Sequence, residues 1–182
     1  MAKIAVLFAN GFEEIEAVTV VDVLRRACVE TDMIGVESLK AKGAHGINID
    51  MDKLLDEVNS DDYDGVVLPG GLPGSYTLRD SQKVQGFIKA FKGKVQAAVC
   101  AAPIALKAAG ILDSRHVTSH PSVKDEFDQE FYVESEVVVD GKIITSRGAG
   151  TSFEFSAAIL TALDMDEEAD KWRGAMIYPE LR

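Results

Sequence analysis

The stretch that decides the fold is KVQAAVCAAPIAL, Lys94–Leu106. Its apolar run Val95–Val99 predicts a buried strand, and the alanine-rich segment Ala101–Ala109 predicts a helix that Gly110 ends. Cys100 stands at the junction between the two. A strand that turns at once into a helix forces the junction residue into a strained backbone conformation and exposes its side chain at the end of the sheet.

Strands and helices also alternate on both sides of this stretch. Further predicted strands are Lys3–Ala9, Thr31–Val36 and Asp64–Leu68, with an extended segment at His45–Asp50. Predicted helices are Glu13–Cys28, Lys53–Val58, Ser81–Phe91, Thr151–Leu163 and a shorter one that carries Trp172. A β-hairpin is predicted over Phe131–Ser146, turning at Asp140-Gly141. The pattern predicts one α/β domain over residues 1–182, with a doubly wound, mainly parallel sheet sandwiched by helices.

Composition excludes several classes of function. The net charge of -11, from 30 acidic and 19 basic residues, disfavours binding to nucleic acid or to an anionic membrane surface through bulk charge. The two cysteines, Cys28 and Cys100, form no CxxC pair and no zinc-binding spacing. We find no secretion signal and no apolar run long enough to cross a bilayer, so a reducing, cytoplasmic setting is expected.

Three segments are predicted to meet at one edge of the sheet, because ligands of such sheets bind at the carboxyl ends of the strands. These segments are the loop Asn10–Glu16, the PGGLPG loop Pro69–Gly74, and Cys100. The glycine-rich loop matches no nucleotide-binding fingerprint. It offers either backbone N–H donors for an oxyanion or only a tight turn, and taken alone it favours the turn.

For Cys100 two interpretations stay open from the residues alone. A thiol at a helix N-terminus is expected to have a lowered pKa and to be reactive. A free cysteine at the end of a buried strand is equally typical of an inert core residue. Cys28, at the end of the first helix, is interpreted as a packing residue.

Acid–base partners for such a thiol are few. Of Glu13, Glu14 and Glu16, at least two are expected to be solvated partners of the helix dipole, while one could be buried and protonated. His120, in the loop VTSHP, is a partner only if it meets the thiol in space. His45 and His116 are interpreted as ordinary polar residues.

Five stretches carry a resemblance to a known family. They are GFEEIEAVTVVDVLRRA (Gly11–Ala27), DGVVLPGGLPG (Asp64–Gly74), AAVCAAP (Ala97–Pro103), VTSHPSVKD (Val117–Asp125) and SRGAGTSFEF (Ser146–Phe155). In order and spacing, the sequence resembles the DJ-1/PfpI superfamily. Within that superfamily, it resembles the Parkinsonism-associated deglycase branch and its bacterial relatives.

The resemblance implies a flavodoxin-like sandwich, usually a homodimer, with a reactive cysteine. Carried over by position, Cys100 is the nucleophile, Glu16 the protonated acid bonded to it, and His120 a group that assists proton transfer. The N–H groups of Gly71 and Ala101 are the implied oxyanion-hole donors. Ala101 stands where protease-like members carry a histidine, so the resemblance disfavours a cysteine peptidase.

The activity that the resemblance implies is a glyoxalase or deglycase that needs no metal or cofactor. Its substrates are small α-oxoaldehydes such as methylglyoxal and glyoxal, or their early adducts on proteins and nucleotides, and it releases lactate or glycolate. The alternative is an oxidative-stress sensor or chaperone that uses an oxidisable Cys100 without turnover.

Overall fold

Strands and helices alternate along the computed structural model, which describes residues 2–178. The strands are β1 (Lys3–Phe8), β2 (Glu30–Gly35), β3 (Lys40–Lys42), β4 (Asn48–Asp50), β5 (Lys53–Leu54), β6 (Gly65–Leu68), β7 (Val95–Val99), β8 (Val137–Asp140) and β9 (Ile143–Ser146). The α-helices are α1 (Glu14–Arg26), α2 (Gly74–Asp80), α3 (Gln82–Ala90), α4 (Pro103–Ala108), α5 (Ser152–Ala162) and α6 (Asp166–Ala175). Among these residues, no helix is long and apolar enough to cross a membrane.

Seven of the strands form one sheet in the order β5-β2-β1-β6-β7-β9-β8. All neighbours in it pair in parallel except β8 and β9, which form an antiparallel hairpin at one edge. Strands β3 and β4 pair antiparallel in a separate two-stranded sheet. The predicted doubly wound α/β sandwich is confirmed.

The sheet separates two hydrophobic cores, because alternate residues of each strand face opposite sides. In β1, Ile4, Val6 and Phe8 belong to the core that contains α1 and α5. Ala5 and Leu7 belong to the other core, which contains residues of α2, α3 and α4. Burial on both faces explains why the central strands are continuous apolar runs in the sequence.

The strand order reverses between β1 and β6, and this is where ligands bind in such sheets. The two loops that leave these strands touch there, since Glu13 N donates to Gly70 O at 2.9 Å. Gly71 has φ +91, and a Cβ on it would lie 2.3 Å from the Glu13 backbone nitrogen. Only glycine permits this conformation and this close approach.

Some predicted elements differ from the structure. Helix α2 was not predicted, because Gly74–Asp80 shows no apolar periodicity and follows a glycine-rich loop. The predicted helix Lys53–Val58 is instead the edge strand β5 and one 3-10 turn, Leu55–Glu57. The predicted His45–Asp50 segment is extended only in β4.

The hairpin is present but is shorter than predicted. Its first strand begins at Val137 rather than Phe131, and Asp140 pairs with Ile143, so the turn residues are Gly141 and Lys142. Gly141 has φ +65. A glycine at the first turn position suits a type II′ turn, which explains the shift of one residue.

Replacing Gly71 by alanine should destabilise the fold, because the new Cβ meets backbone at a positive φ. We expect a loss of about 2 kcal/mol or more in the free energy of unfolding, measured with urea. Gly86→Ala is the matched control, because Gly86 lies inside α3 with nothing within 4 Å of an added Cβ. That variant should gain about 0.5–1 kcal/mol, and equal effects at both positions would contradict the argument.

Candidate active site

Cys100 lies at a sharp turn after β7, between the two cores. Its φ is +62, a left-handed conformation that is strained for a residue with a side chain. Its N–H donates to Ser146 O at 2.9 Å, and its carbonyl accepts from His120 N at 2.8 Å, so neighbouring segments hold the strained backbone. The buried alanines Ala98, Ala101 and Ala102 provide the small neighbours that the turn requires.

Glu16 contacts this thiol from helix α1. Its side chain is 1% exposed and forms a hydrogen bond with Cys100. Its Oε2 accepts from Gly70 N at 2.9 Å. Glu13 is the N-cap of α1 and accepts from Glu16 N at 2.8 Å, which fixes the helix start below the thiol.

The pair can form because Gly70 has no side chain. A Cβ on Gly70 would lie 2.5 Å from Cys100 Cβ and 2.5 Å from Glu16 Oε2. A Cβ essentially never comes this close to a non-bonded heavy atom, so any larger residue would push the thiol and the carboxyl apart. The double glycine of the loop therefore serves two needs, close approach at Gly70 and a positive φ at Gly71.

Backbone N–H groups of Gly71 and Ala101 face the sulfur of Cys100 and favour its anionic form. These are the two donors that the resemblance implies for an oxyanion hole. Donors fixed in this way stabilise negative charge without having to reorganise.

The carboxyl of Glu16 and the thiol of Cys100 both have raised pKa values, so each ionises less readily than usual. Burial, with a smaller contribution from the charge of Glu13, raises the pKa of the Glu16 carboxyl to about 7. The hydrogen bonds from Cys100 and Gly70 oppose part of this increase. Burial, together with the charge and hydrogen bond of Glu16, raises the pKa of the Cys100 thiol to about 12. Two adjacent acids of this kind titrate as a pair that shares a proton.

The expectation that a helix N-terminus lowers the pKa of Cys100 is therefore wrong, because the pKa of this thiol is raised beside Glu16. Helix α4 begins at Pro103, after an intervening turn, and has only six residues. Burial and the neighbouring carboxylate outweigh any dipole effect. A thiolate forms readily only when Glu16 holds the proton, since the negative charge of Glu16 is then absent.

His120 lies at the same edge of the sheet, with an exposed side chain. Its ring atom Cδ2 is 3.8 Å from the position that a Cβ on Gly148 would occupy, and Glu16 Oε1 is 3.9 Å from the same position. Apart from the chain neighbours of Gly148, no other described residue has an atom within 4 Å of that position. The missing side chain of Gly148 thus leaves a space of the size of a methyl group between His120 and Glu16, which is called the gap below.

Two residues of this region were not predicted from the sequence. Ser122 contacts the ring of His120, with its Oγ 2.8 Å from Nδ1 and its N–H donating to Nδ1 at 3.2 Å. Gly148 lies inside the SRGAGT motif, which offered the only signal for it. Ser122 lies inside the stretch VTSHPSVKD, which offered the same kind of signal, but its residue type and position are those of an ordinary loop serine.

The expectation that Glu14 is a solvated dipole partner is wrong. Glu14 is buried, and its carboxylate accepts from His45 N at 2.7 Å and lies 2.9 Å from His45 Nδ1. With Glu13, these residues bring their ligand atoms within 4.8 Å of one another. The ion pair and the backbone bond account for this group, which ties the loop before β4 to α1.

Cys28 is likewise not a packing residue. It is exposed and has φ +61, directly after the C-cap of α1. Its left-handed conformation is typical of a residue that follows a helix end. This conformation turns the side chain to solvent.

A sandwich of this topology, with a cysteine at a strained strand-to-helix turn and a buried glutamate against it, defines a class of cysteine-centred α/β proteins. The model of the DJ-1/PfpI family matches residues 2–162. The chain belongs to the DJ-1/PfpI family.

Individual relatives agree with this assignment. The chain is 38% identical to the Parkinson disease protein 7 homolog of Danio rerio, over 96% of each chain. It is 34% identical to the glutathione-independent glyoxalase DJR-1.2 of Caenorhabditis elegans, over 87% of this chain and 86% of that protein. A solved structure of oxidized Toxoplasma gondii DJ-1 superposes with a TM-score of 0.95 at 33% identity, covering 99% of this chain and all of that one.

Some relatives are much longer. The chain covers only 43% and 41% of the DJ-1 homologs A and B of Arabidopsis thaliana, to which it is 37% and 35% identical.

Glu16→Gln should change how stability depends on pH. Because burial raises the pKa of Glu16 from 4.5 to about 7, its contribution to stability is fully retained below the unfolded value and is lost as the pH rises to the folded one. Between pH 5.5 and 8 the wild type should lose about 2 kcal/mol relative to Glu16→Gln. Urea unfolding at both pH values measures this difference.

Glu130→Gln is the control for that measurement, because Glu130 is an exposed turn residue and the substitution removes the same charge. Its stability should follow the wild type at both pH values. A Glu16→Gln profile parallel to the wild type would show that Glu16 ionises normally in the folded protein.

Proposed function

We propose that this protein is a cofactor-independent, cysteine-dependent glyoxalase or deglycase. The observation that carries the proposal is the Cys100 thiol held between two backbone N–H donors and a buried carboxyl with which it shares a proton. A nucleophile, an acid–base group and an oxyanion site are the parts that addition to an aldehyde requires. The glyoxalase name of the Caenorhabditis elegans relative supports the same reaction class.

The first step joins the thiolate to the aldehyde carbon of methylglyoxal. Proton transfer from Cys100 to Glu16 gives the thiolate, and the new C–S bond places negative charge on the aldehyde oxygen. The N–H groups of Gly71 and Ala101 stabilise this charge, and Glu16 returns the proton to give a hemithioacetal.

The second step moves hydrogen between the two carbons without an outside oxidant. The Glu16 carboxylate removes the proton from the former aldehyde carbon, and the electron pair forms a double bond to the ketone carbon, which gives an enediolate with the negative charge on the ketone oxygen. Glu16 returns the proton to the ketone carbon, and the hydroxyl proton on the former aldehyde carbon moves to the ketone oxygen. One carbon is thereby oxidised and the other reduced, leaving a lactoyl thioester on Cys100. Water hydrolyses the thioester, so methylglyoxal and water give lactate and the free thiol.

The gap beside Gly148 supports a small substrate. It is bordered by Glu16, which moves the protons in these two steps, and by His120, which the resemblance implies as a group that assists proton transfer. An aldehyde attached to Cys100 would place its second carbon and oxygen towards this gap. Free α-oxoaldehydes and early adducts with an exposed aminocarbinol both satisfy this requirement, and the glyoxal reaction would release glycolate.

A redox sensor is the second candidate. Cys100 is partly exposed, and a protonated Glu16 could donate a hydrogen bond to a sulfinate on it. The solved structure of Toxoplasma gondii DJ-1 is of the oxidized protein, which supports a redox role. A chaperone role would accompany the sensor, while a cysteine peptidase lacks the adjacent histidine because Ala101 stands there.

We further propose that the chain acts as a homodimer, as the resemblance implies, and that it works in a reducing compartment such as the cytoplasm, as its cysteine usage indicates. The exposed apolar side chains Ile15 and Val18 of α1 are the surface that we expect a second copy to cover. Asp22 and Arg26, on the same helix, already pair with each other at 2.7 Å. Light scattering on the purified chain should give twice its 19.7 kDa mass.

Incubation with methylglyoxal, without glutathione or metal, should give many equivalents of lactate per protein. Cys100→Ser should abolish turnover, and Glu16→Gln should lower kcat by about 100-fold or more, because the group that moves protons is gone. Cys28→Ser is the matched control and should retain wild-type turnover. Lactate at one equivalent or less, with selective oxidation of Cys100 by mild peroxide, would contradict the enzyme and favour the sensor.

Gly148→Ala should lower kcat/KM by about tenfold while leaving the thermal midpoint within a few degrees of wild type. Its Cβ would make only ordinary van der Waals contacts, and the Gly148 backbone is extended, so the fold tolerates it. The methyl group would occupy the gap beside Glu16 and His120. Unchanged kinetics with methylglyoxal would place the substrate elsewhere.

A further inference from the structure

The ring of His120 is held through one of its two nitrogens. His120 is the N-cap of the 3-10 helix Pro121–Glu126, and its Nδ1 accepts from Ser122 N at 3.2 Å. The hydroxyl of Ser122 lies 2.8 Å from the same nitrogen. A backbone N–H can only donate, so Nδ1 must present its lone pair to it.

This contact fixes where the imidazole carries its proton. A neutral imidazole has one N–H and one lone pair, so a lone pair on Nδ1 places the proton on Nε2. A proton on Nδ1 would donate to Ser122 Oγ at 2.8 Å, but the Ser122 N–H would then lose its acceptor and the cap would break. We infer that Ser122 holds His120 as an Nε2–H hydrogen-bond donor, which leaves the base role of the proposed reaction to Glu16 alone.

The donor edge of the ring is also the edge that borders the gap. Cδ2, which is bonded to Nε2, is the ring atom that lies 3.8 Å from the position of a Cβ on Gly148. Glu16 Oε1 borders the same position at 3.9 Å. A bond from His120 N to Cys100 O at 2.8 Å ties the histidine backbone to the nucleophile's own residue.

This inference rests on the proposed function. It assigns different roles to Glu16 and His120 in the second step of the reaction. Glu16 takes the proton from the former aldehyde carbon and returns it to the ketone carbon. His120 donates a hydrogen bond from Nε2 to the ketone oxygen while that oxygen carries negative charge, and it keeps its own proton. Gly71 and Ala101 serve the other oxygen, so each oxygen of the α-oxoaldehyde has its own donors. Ser122 is a positioning residue that acts through His120.

The first test reads the tautomer directly and needs no activity. In protein labelled with ¹⁵N-histidine, long-range ¹H–¹⁵N correlations near pH 8 should show His120 with a protonated Nε2 and an unprotonated Nδ1. Spectra of His45→Gln and His116→Gln variants assign the three rings. A His120 ring that carries its proton on Nδ1, or on both nitrogens, would overturn the inference whether or not the protein turns over methylglyoxal.

The second test separates a donor from a base. Glutamine offers an N–H near the position of Nε2 but cannot act as a base, so His120→Gln should keep kcat within about tenfold of wild type. His120→Ala removes the donor and should lose about 100-fold. Equal losses in two variants whose thermal midpoints match wild type would overturn the donor role.

Ser122 variants test the positioning itself. Ser122→Ala keeps the backbone N–H that sets the tautomer but removes the hydroxyl contact at 2.8 Å. The ring should therefore stay in the Nε2–H tautomer, while its looser orientation should lower kcat several-fold with little change in KM. Ser122→Thr keeps a hydroxyl and should restore kcat. An Nδ1–H ring in Ser122→Ala would overturn the role of the backbone N–H, and an unchanged kcat would show that the hydroxyl does not position the ring.

Discussion

The site depends on the absence of a side chain at Gly70. Three segments from the ends of β1, β6 and β7 meet there, and a single carbon on Gly70 would lie 2.5 Å from both members of the pair, Cys100 and Glu16. Because the atoms are so close, water is excluded from between the thiol and the carboxyl. Exclusion of water raises both pKa values, and the raised values make the two groups share a proton.

Strain and burial act together at this point. The positive φ of Cys100 costs free energy, and the hydrogen bonds to Ser146 and from His120 hold it in place. The same turn directs the backbone N–H of Ala101 at the sulfur, beside that of Gly71. The packing of the two cores thus stabilises a strained backbone conformation that the proposed reaction of the thiol requires.

Much of this arrangement could be predicted from the sequence. Apolar runs and helical periodicity define most elements, and parallel strands bring their carboxyl ends together, so Cys100 and the two loops had to meet. The choice among Glu13, Glu14 and Glu16 could not be made in this way. It depends on the rotation of α1 about its axis, which its packing against the sheet and α5 sets. Glu14 and Glu16, about 200° apart on a helix, consequently contact different loops.

The pKa values of the site could not be predicted from the sequence either. Burial decides the pKa values of Cys100 and Glu16, and the degree of burial follows from distances that no local pattern encodes. Helix α2 escaped prediction because its residues lack apolar periodicity, and Ser122 because its contact with His120 depends on loop conformation. A residue that acts by contacting a neighbouring side chain, as we infer for Ser122 and His120, leaves little trace in composition or spacing.

The most direct test of the shared proton is the pH dependence of Cys100 alkylation by iodoacetamide, measured by mass spectrometry in a Cys28→Ser background. The Glu16→Gln substitution removes the negative charge beside the thiol. The alkylation rate of this variant should therefore begin to rise at a lower pH than in the Cys28→Ser protein that keeps Glu16. The account predicts that shift because ionised Glu16 raises the thiol's pKa. Coincident profiles, or a shift to higher pH, would contradict the coupling of Cys100 and Glu16 on which the proposed chemistry rests.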